Sequence, residues 1–205
     1  MGQYFDNEDL PSRIEEFKTK IYGIEFTFKT DNGVFSKEKL DYGTRFMLET
    51  IPVRELHGDI LDLGCGYGVV SIILSKLVRA NFDGVDVNKR ALHLCEMNKN
   101  INYSENVNFF ESNIYENITK KYDYIITNPP IRAGKEVVYK MLGEAKDHLK
   151  EDGILYFVIR KEQGAKSTIK YLESIYDVKV LDKSKGFFII SCKSVWLIEK
   201  SMIII

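Results

Sequence analysis

The sequence predicts an α/β fold, a seven-stranded and mostly parallel sheet with helices on both faces, preceded by an N-terminal hairpin extension. Three observations carry this expectation. From about residue 59 onward, short apolar runs alternate with amphipathic segments of helical spacing, and strand–helix alternation implies a parallel sheet covered on both sides. The first of these runs, DILDLGC, ends in the glycine-rich loop DLGCGYG, and open parallel sheets meet their ligands beyond the carboxyl ends of their strands. The last two runs, DVKVLDK and FFIISCK, have no helix between them, so they are expected to close the sheet as an antiparallel pair.

The elements follow in order. Residues 21–36 read as a hairpin, IYGIEFTFKT and GVFS around a turn at Asp31-Asn32-Gly33. DYGTRFMLETI, from Asp41, has helical spacing at Phe46, Leu48 and Ile51. The core then runs as strand 59–65, helix 69–78, strand 82–87, helix 89–101, strand 106–112 and strand 122–128. An amphipathic helix over 136–150 is expected to close at Asp152-Gly153, before strand 154–160, helix 166–176 and the final pair of strands. One domain is expected over 1–205, with 1–52 as a hairpin-and-helix extension and 53–205 as the catalytic core.

Composition excludes several classes. The chain has 205 residues, 44% of them hydrophobic, and a net charge of −1, so overall charge names no partner. Its distribution is uneven: residues 1–119 hold 13 Lys/Arg against 19 Asp/Glu, and residues 120–205 hold 16 against 11. A basic C-terminal part suits either a phosphate-bearing partner or a solvated lysine-rich surface. Cys65, Cys95 and Cys192 are scattered, which fits a reducing cytoplasm and gives neither a disulfide framework nor zinc spacing. His57, His93 and His148 are isolated, so no metal site is expected. No signal-peptide plan opens the chain, and no apolar run nears the roughly 20 residues of a membrane span. The tail SMIII reads as a docked end or a small exposed patch.

The loop Asp62-Leu63-Gly64-Cys65-Gly66-Tyr67-Gly68 is close to the dinucleotide fingerprint G-x-G-x-x-G, but its third glycine comes one residue early and Val69 takes the expected place. No G-K-[ST] follows, so it is not a P-loop. A strand followed by D-x-G-x-G-x-G resembles the cofactor loop of Rossmann-like, class I S-adenosylmethionine-dependent methyltransferases. That ligand has no phosphate, and the glycines give its methionine and ribose portions room against the backbone. Asp86, with Val87 after it, ends the second core strand, where an acidic residue can accept from ribose hydroxyls or cap a helix. In this class the turn after the third strand contacts the adenine. Asn113 and Ile114 stand there, Asn113 being either that contact or an ordinary turn asparagine.

The fourth core strand, YDYIITN, ends in TNPPIRAGK. Proline cannot continue a central strand, so Pro129 and Pro130 stiffen a turn directly behind Asn128. The motif resembles the [DN]-P-P-[aromatic] signature of methyltransferases acting on planar nitrogens. Such a nitrogen has its lone pair delocalised and attacks a sulfonium methyl poorly. Two rigid acceptors, the Asn128 side-chain oxygen and the Pro129 carbonyl, can hold both N–H groups and aim the lone pair. Ile131 replaces the usual aromatic and offers dispersion without stacking. Arg132 and Lys135 either hold RNA phosphates at the mouth of the site or form a solvated basic turn.

Taken together, GVFSKEKLDYGTRFMLETI, DILDLGCGYGV, GVDVNKRALHLCEMNKNIN and TNPPIRAGK resemble the methyltransferase small (MTS) domain family over roughly residues 20–195. Within it they are similar to the RsmC-like enzymes, whose larger members carry an extra N-terminal half. The resemblance implies methylation of guanine N2 in small-subunit ribosomal RNA, with S-adenosylmethionine as cofactor and no metal. It places Asp41, Gly43 and Thr44 near the methionine end of the cofactor, and Phe35 and Ser36 close to the active site. Phe35 is also a candidate hairpin core residue. Adenine N6 of nucleic acid and the glutamine amide of a release factor use the same cradle. A non-catalytic RNA- or protein-binding scaffold is the reading from another class, opposed by the intact Gly64, Gly66, Gly68, Asp86 and Asn128; a metabolite methyltransferase is more remote, since its members seldom show Asn-Pro-Pro. The expected partner is ribosomal RNA or the small subunit, and the chain a monomer or homodimer.

Overall fold

The computed structural model describes residues 12–32 and 40–194. Two strands, β1 (Glu15–Ile21) and β2 (Ile24–Thr30), form an antiparallel hairpin. Helix α1 (Tyr42–Thr50) follows, and then β3 (Gly58–Leu63), α2 (Val69–Ser75), β4 (Ala80–Asp86), α3 (Lys89–Ile101), β5 (Val107–Glu111) and β6 (Tyr122–Thr127). Helices α4 (Lys135–Gly143) and α5 (Ala145–His148) lead to β7 (Leu149–Arg160), α6 (Ala165–Leu172), β8 (Tyr176–Ser184) and β9 (Phe187–Ser194).

The main sheet has seven strands in the order β5-β4-β3-β6-β7-β9-β8, parallel except where β9 runs against both neighbours. The order reverses between β3 and β6, which are paired directly, Ile60 opposite Tyr124 and Asp62 opposite Ile126. The glycine loop and the TNPP turn therefore leave the sheet side by side. One apolar cluster, with Leu48, Ile72, Phe82 and Ile126, covers one face together with the hairpin's Phe26 and Phe28. A second, with Leu61, Leu142, Leu155 and Phe157, covers the other.

The hairpin turns elsewhere than expected. Its reversal is at Tyr22-Gly23, both at positive φ (49° and 81°), the two-residue turn whose twist matches the strands it joins. Asn32 does lie in a turn, with its amide on the Asp31 carboxylate (2.6 Å), while Gly33 lies outside the described residues. Asp31 is buried and accepts hydrogen bonds from the Ser12 hydroxyl (2.8 Å) and the Arg13 amide (2.6 Å), pinning the start of the hairpin to its end. The expected second arm GVFS, with Phe35 and Ser36, lies outside the described residues, as does the tail SMIII.

Two buried asparagines bind the hairpin to the core. On α3, Asn98 accepts from the Lys29 amide (2.6 Å) and donates to the Lys29 carbonyl (2.9 Å). Asn102, one turn on, does the same with Thr27. Side-chain amides thus satisfy an edge strand as another strand would.

The expected helix over 136–150 also differs. It breaks after Gly143, where a Cβ would collide with the Tyr171 hydroxyl, and resumes as α5 as far as His148. The Tyr176 hydroxyl donates to the carbonyls of Leu142 (2.9 Å) and Gly143 (3.3 Å), taking up the helix end. Leu149 is already strand, opposite Tyr122, and Asp152-Gly153 lie within β7. The helices expected over 69–78 and 166–176 end early, at Ser75 and Leu172.

Candidate active site

Two turns and the start of one helix meet at the carboxyl edge of β3, β4 and β6. Beyond Leu63, the amides of Gly64 and Cys65 both donate to the Val85 carbonyl (2.9 Å each), so the loop folds across the end of β4. Gly64, Gly66 and Gly68 all have positive φ (72°, 55° and 88°), conformations that favour glycine. A Cβ at Gly66 would meet nothing within 4 Å, whereas one at Gly68 would stand 2.8 Å from the Phe109 ring. Gly66 thus presents bare backbone on the open side of the loop, and Gly68 allows it to pack closely at the base.

Asp86 accepts from the Gly66 amide through one carboxylate oxygen and from the Asn88 amide through the other, at 2.9 Å each. Burial raises its pKa, and these backbone N–H groups work against that. Each oxygen keeps acceptor capacity for a ligand hydroxyl. Asp62 is 2% exposed and accepts from the amide (3.1 Å) and hydroxyl (2.5 Å) of Ser71 on α2. Burial pushes its carboxyl up to about 6. Asp62 is therefore a strut between β3 and α2. The Cys95 thiol donates to the Gly66 carbonyl (3.0 Å) and lies 3.8 Å from the Cys65 sulfur. Burial raises both thiols.

The acceptor turn stands opposite. Asp41 caps α1 by accepting from the Thr44 amide (3.0 Å). The buried Thr44 hydroxyl in turn accepts from the Asn128 side-chain nitrogen at 2.9 Å. That orients the Asn128 amide and leaves its oxygen as the acceptor it offers. Thr127 locks the preceding strand end by donating to the Leu63 carbonyl (2.7 Å). Behind Pro130 a single 3₁₀ turn, Ile131–Ala133, sends the Ala133 amide to the Pro130 carbonyl (2.9 Å) and the Gly134 amide to the Ile131 carbonyl (3.1 Å). The Pro129 carbonyl takes no part in that turn.

Asp41, Gly43, Thr44, Gly64, Gly66, Asp86, Val87 and Asn128 are thus gathered at one edge, while Asp62, Cys65 and Gly68 shape the loop from behind. Asn113 is exposed, with its amide nitrogen on the Glu116 carboxylate (2.8 Å). Ile114 has φ of 56°, a strained conformation for a β-branched residue. The Ser112 hydroxyl holds it by donating to the Ile114 carbonyl (3.0 Å). Ile131 is half-buried against the core cluster. Arg132 and Lys135 are exposed, Lys135 lying 4.8 Å over the Tyr139 ring. Sequence reasoning missed the turn between β8 and β9, whose Ser184 accepts the Tyr42 hydroxyl (2.8 Å) and whose Phe187 packs on Gly43. The strands were legible, but no short motif marks a contact between residues 142 positions apart. Among the described residues no cluster of His, Cys, Asp or Glu can hold a metal, and no helix is long and apolar enough to cross a membrane.

The model of the methyltransferase small domain matches residues 25–191. The chain belongs to that family. A Bacillus subtilis (strain 168) relative, the uncharacterized protein YbxB, is 38% identical over 196 residues, covering 94% of this chain and 98% of its own. The ribosomal RNA small subunit methyltransferase C of Psychromonas ingrahamii is 30% identical over 184 residues, which are 87% of this chain and 52% of that protein. The chain thus spans about half the length of the methyltransferase C relatives it matches. In structure it is similar to the T. thermophilus 16S rRNA N2 G1207 methyltransferase (RsmC) in complex with AdoMet and guanosine, with a TM-score of 0.81 and 24% identity over 91% of this chain and 52% of that one. The Rossmann-like methyltransferase fold expected from the sequence is the fold found. The chain is thus a protein of a methyltransferase family, and its methyltransferase C relatives carry the name of ribosomal RNA enzymes.

Proposed function

We propose that the protein is an S-adenosylmethionine-dependent N-methyltransferase acting on guanine N2 of ribosomal RNA, in the small subunit. One observation carries this reading: the open glycine loop and the Asn128-Pro129-Pro130 turn leave adjacent strands at the same edge, with Asn128 held by its side-chain nitrogen. The residues fit the cofactor. Gly66 leaves open space where a side chain would stand and Gly64 turns the loop beside Met141, Asp86 would offer its remaining acceptor capacity to ribose hydroxyls, Asn113 and Ile114 would form the turn for the adenine, and Asp41, Gly43 and Thr44 would border the methionine end. The cofactor supplies an electrophilic methyl.

The chain's own residues supply position. The Asn128 oxygen and the Pro129 carbonyl accept the two N–H groups of an exocyclic amine, holding its lone pair in one direction. Two prolines and the Thr44 hydrogen bond fix these acceptors before the substrate arrives, so little reorganisation is left for the reaction. No strong base is required, because the nitrogen proton becomes acidic once the methyl is in place and passes to water. Ile131 presses the base by dispersion, and Arg132 and Lys135 receive phosphates at the mouth.

The test supplies methyl-labelled S-adenosylmethionine with unmodified small subunits, large subunits, naked rRNA, duplex DNA and a release factor, in separate reactions. Large subunits belong in the set because a Pseudoalteromonas translucida relative, 30% identical over 180 residues, is named ribosomal RNA large subunit methyltransferase G. Label recovered as N2-methylguanosine from the small subunit or its rRNA is expected. Label in N6-methyladenine or in glutamine would keep the cradle and replace the substrate. Absence of cofactor binding in calorimetry would leave only a scaffold role.

A further inference from the structure

The turn between β8 and β9 stands at the same edge as Asn128, because β6, β7 and β8 are parallel and Ser184, like Arg160, ends its strand there. Three consecutive residues of α1 connect the two places. Tyr42 donates to Ser184, Gly43 receives the Phe187 ring, and Thr44 holds Asn128. The Lys161 amide donates to the Gly186 carbonyl (2.7 Å), which fixes the end of β7 to the tip of the turn.

This edge is cationic, and its cations are pre-arranged. Lys185 lies 4.6 Å over the Tyr42 ring, Lys183 lies 4.9 Å over Phe188, and the Arg160 guanidinium lies 5.0 Å over Phe187. Lys161, Lys183 and Lys185 are exposed and take part in none of the ion pairs among the described residues, whereas Arg160 is paired with Glu162 (2.7 Å). Two further acids lie near, and each accepts from backbone, Asp182 from the Lys183 amide and Asp41 from the Thr44 amide. Lys185 itself has φ of 47°, followed by Gly186 at 81°. The first place of such a turn usually goes to Asn, Asp or Gly, and a lysine there is an uncommon choice.

We propose that Lys161, Lys183 and Lys185 form a landing strip for the phosphates of single-stranded RNA flanking the target nucleotide, distinct from Arg132 and Lys135. The aromatic faces under the Lys183 and Lys185 ammonium groups limit the rotamer freedom lost on binding, and each ammonium keeps N–H donors directed away from its ring for phosphate. A positively charged track follows the backbone of a single strand without reading its sequence. This inference rests on the nucleic-acid reading of the acceptor.

The full chain carrying Lys161→Ala, Lys183→Ala and Lys185→Ala together tests it. Binding to unmodified small-subunit rRNA is measured across a potassium chloride series, with cofactor affinity and melting temperature alongside. The expected result is an affinity lower by at least tenfold, a salt slope shallower by about 2, a raised KM for RNA, and unchanged cofactor affinity, melting temperature and kcat at saturating RNA. Lys179→Ala, on the same strand but away from this edge, is expected to change none of these. Wild-type methylation of RNA with the triple variant equal to wild type would overturn the strip alone. An equal loss in Lys179→Ala would overturn it in favour of diffuse charge. A wild-type protein that binds cofactor but no RNA would overturn both the strip and the nucleic-acid reading.

Discussion

The two sides of the site are built in opposite ways. On the cofactor side, Asp62 is buried and Asp86 half-buried, the two are satisfied by Ser71, Gly66 and Asn88, and the loop closes on Val85 by paired backbone bonds. The partners of these carboxylates and of the loop amides lie within about twenty residues in sequence, and the Cys95 thiol reaches the Gly66 carbonyl across 29. On the acceptor side, Asn128 depends on one hydroxyl 84 positions away, and the rim depends on a contact spanning 142 positions. The glycine loop on the first side is fixed within one strand–helix–strand–helix stretch, β3 to α3. The second exists only after α1, β6 and the β8–β9 turn have docked. Affinity for cofactor and reactivity toward acceptor are therefore expected to fail separately.

The sharpest test of that separation is Asn128→Ala. It removes the side-chain acceptor and leaves the loop, Asp86 and the prolines in place. Turnover is expected to fall on the order of 10²–10³-fold, the cost of losing a preorganised hydrogen-bonding group at a reacting centre. Cofactor affinity by calorimetry is expected to stay near wild type. Retained turnover would remove Asn128 from the mechanism, and a parallel loss of cofactor affinity would show that the two sides act as one.

The same contrast explains what the sequence discloses. DILDLGCGYG and the aspartate at the end of the next strand are local patterns, and their strand, loop and helix lie where the pattern puts them. TNPP is local as well, so Asn128 could be read directly. Its orientation could not, because nothing in YGT of α1 announces that the Thr44 hydroxyl will face an asparagine on another strand. In this sequence Thr44 entered only through family resemblance. The hairpin failed for a different reason. Asp31-Asn32-Gly33 has turn-forming chemistry and Asn32 does lie in a turn, but the reversal between β1 and β2 falls at Tyr22-Gly23, inside the expected first arm, and Asp31 is buried as a clasp for Ser12 and Arg13. A tyrosine at positive φ is locally unfavourable. Tertiary contact supports it here, the Tyr22 hydroxyl donating to the Leu48 carbonyl (2.9 Å).

The cofactor side carries its own signature in pH. The Asp62 carboxyl stands at about 6 in the folded chain against an ordinary 3.8. The folded state therefore holds this proton more tightly than the unfolded state does. Its contribution to stability is highest below about 4, falls as pH rises toward 6, and is flat above. Asp59, at the amino end of β3, behaves oppositely. The Lys150 hydrogen bond holds it below its ordinary value, so its contribution is lost only as pH falls below 3.8. In denaturant unfolding from pH 4 to 7, the stability of wild type relative to Asp62→Asn is expected to fall by roughly 1–3 kcal/mol. The asparagine oxygen still accepts from Ser71, so the variant isolates the charge. A constant difference across that range would mean that Asp62 is solvated in the folded protein.

The smallest expected effect lies where the two sides touch. Thr44 belongs to the helix start beside the cofactor's methionine end, yet its hydroxyl orients Asn128. Thr44→Val keeps the shape and removes that hydroxyl. The Asn128 amide then loses the partner that separates its nitrogen from its oxygen and can turn over. Turnover is expected to fall about tenfold, equivalent to roughly 1.4 kcal/mol, because the correct orientation remains accessible. Thr44→Ser, which restores an acceptor, is expected to recover most of the rate, a rescue that general loosening of α1 would not permit. In a double variant, Thr44→Val should add almost nothing to Asn128→Ala, since the group it orients is gone. Additive losses would instead assign Thr44 an independent role on the cofactor side, and the two halves of the site would then be joined through α1 rather than merely adjacent.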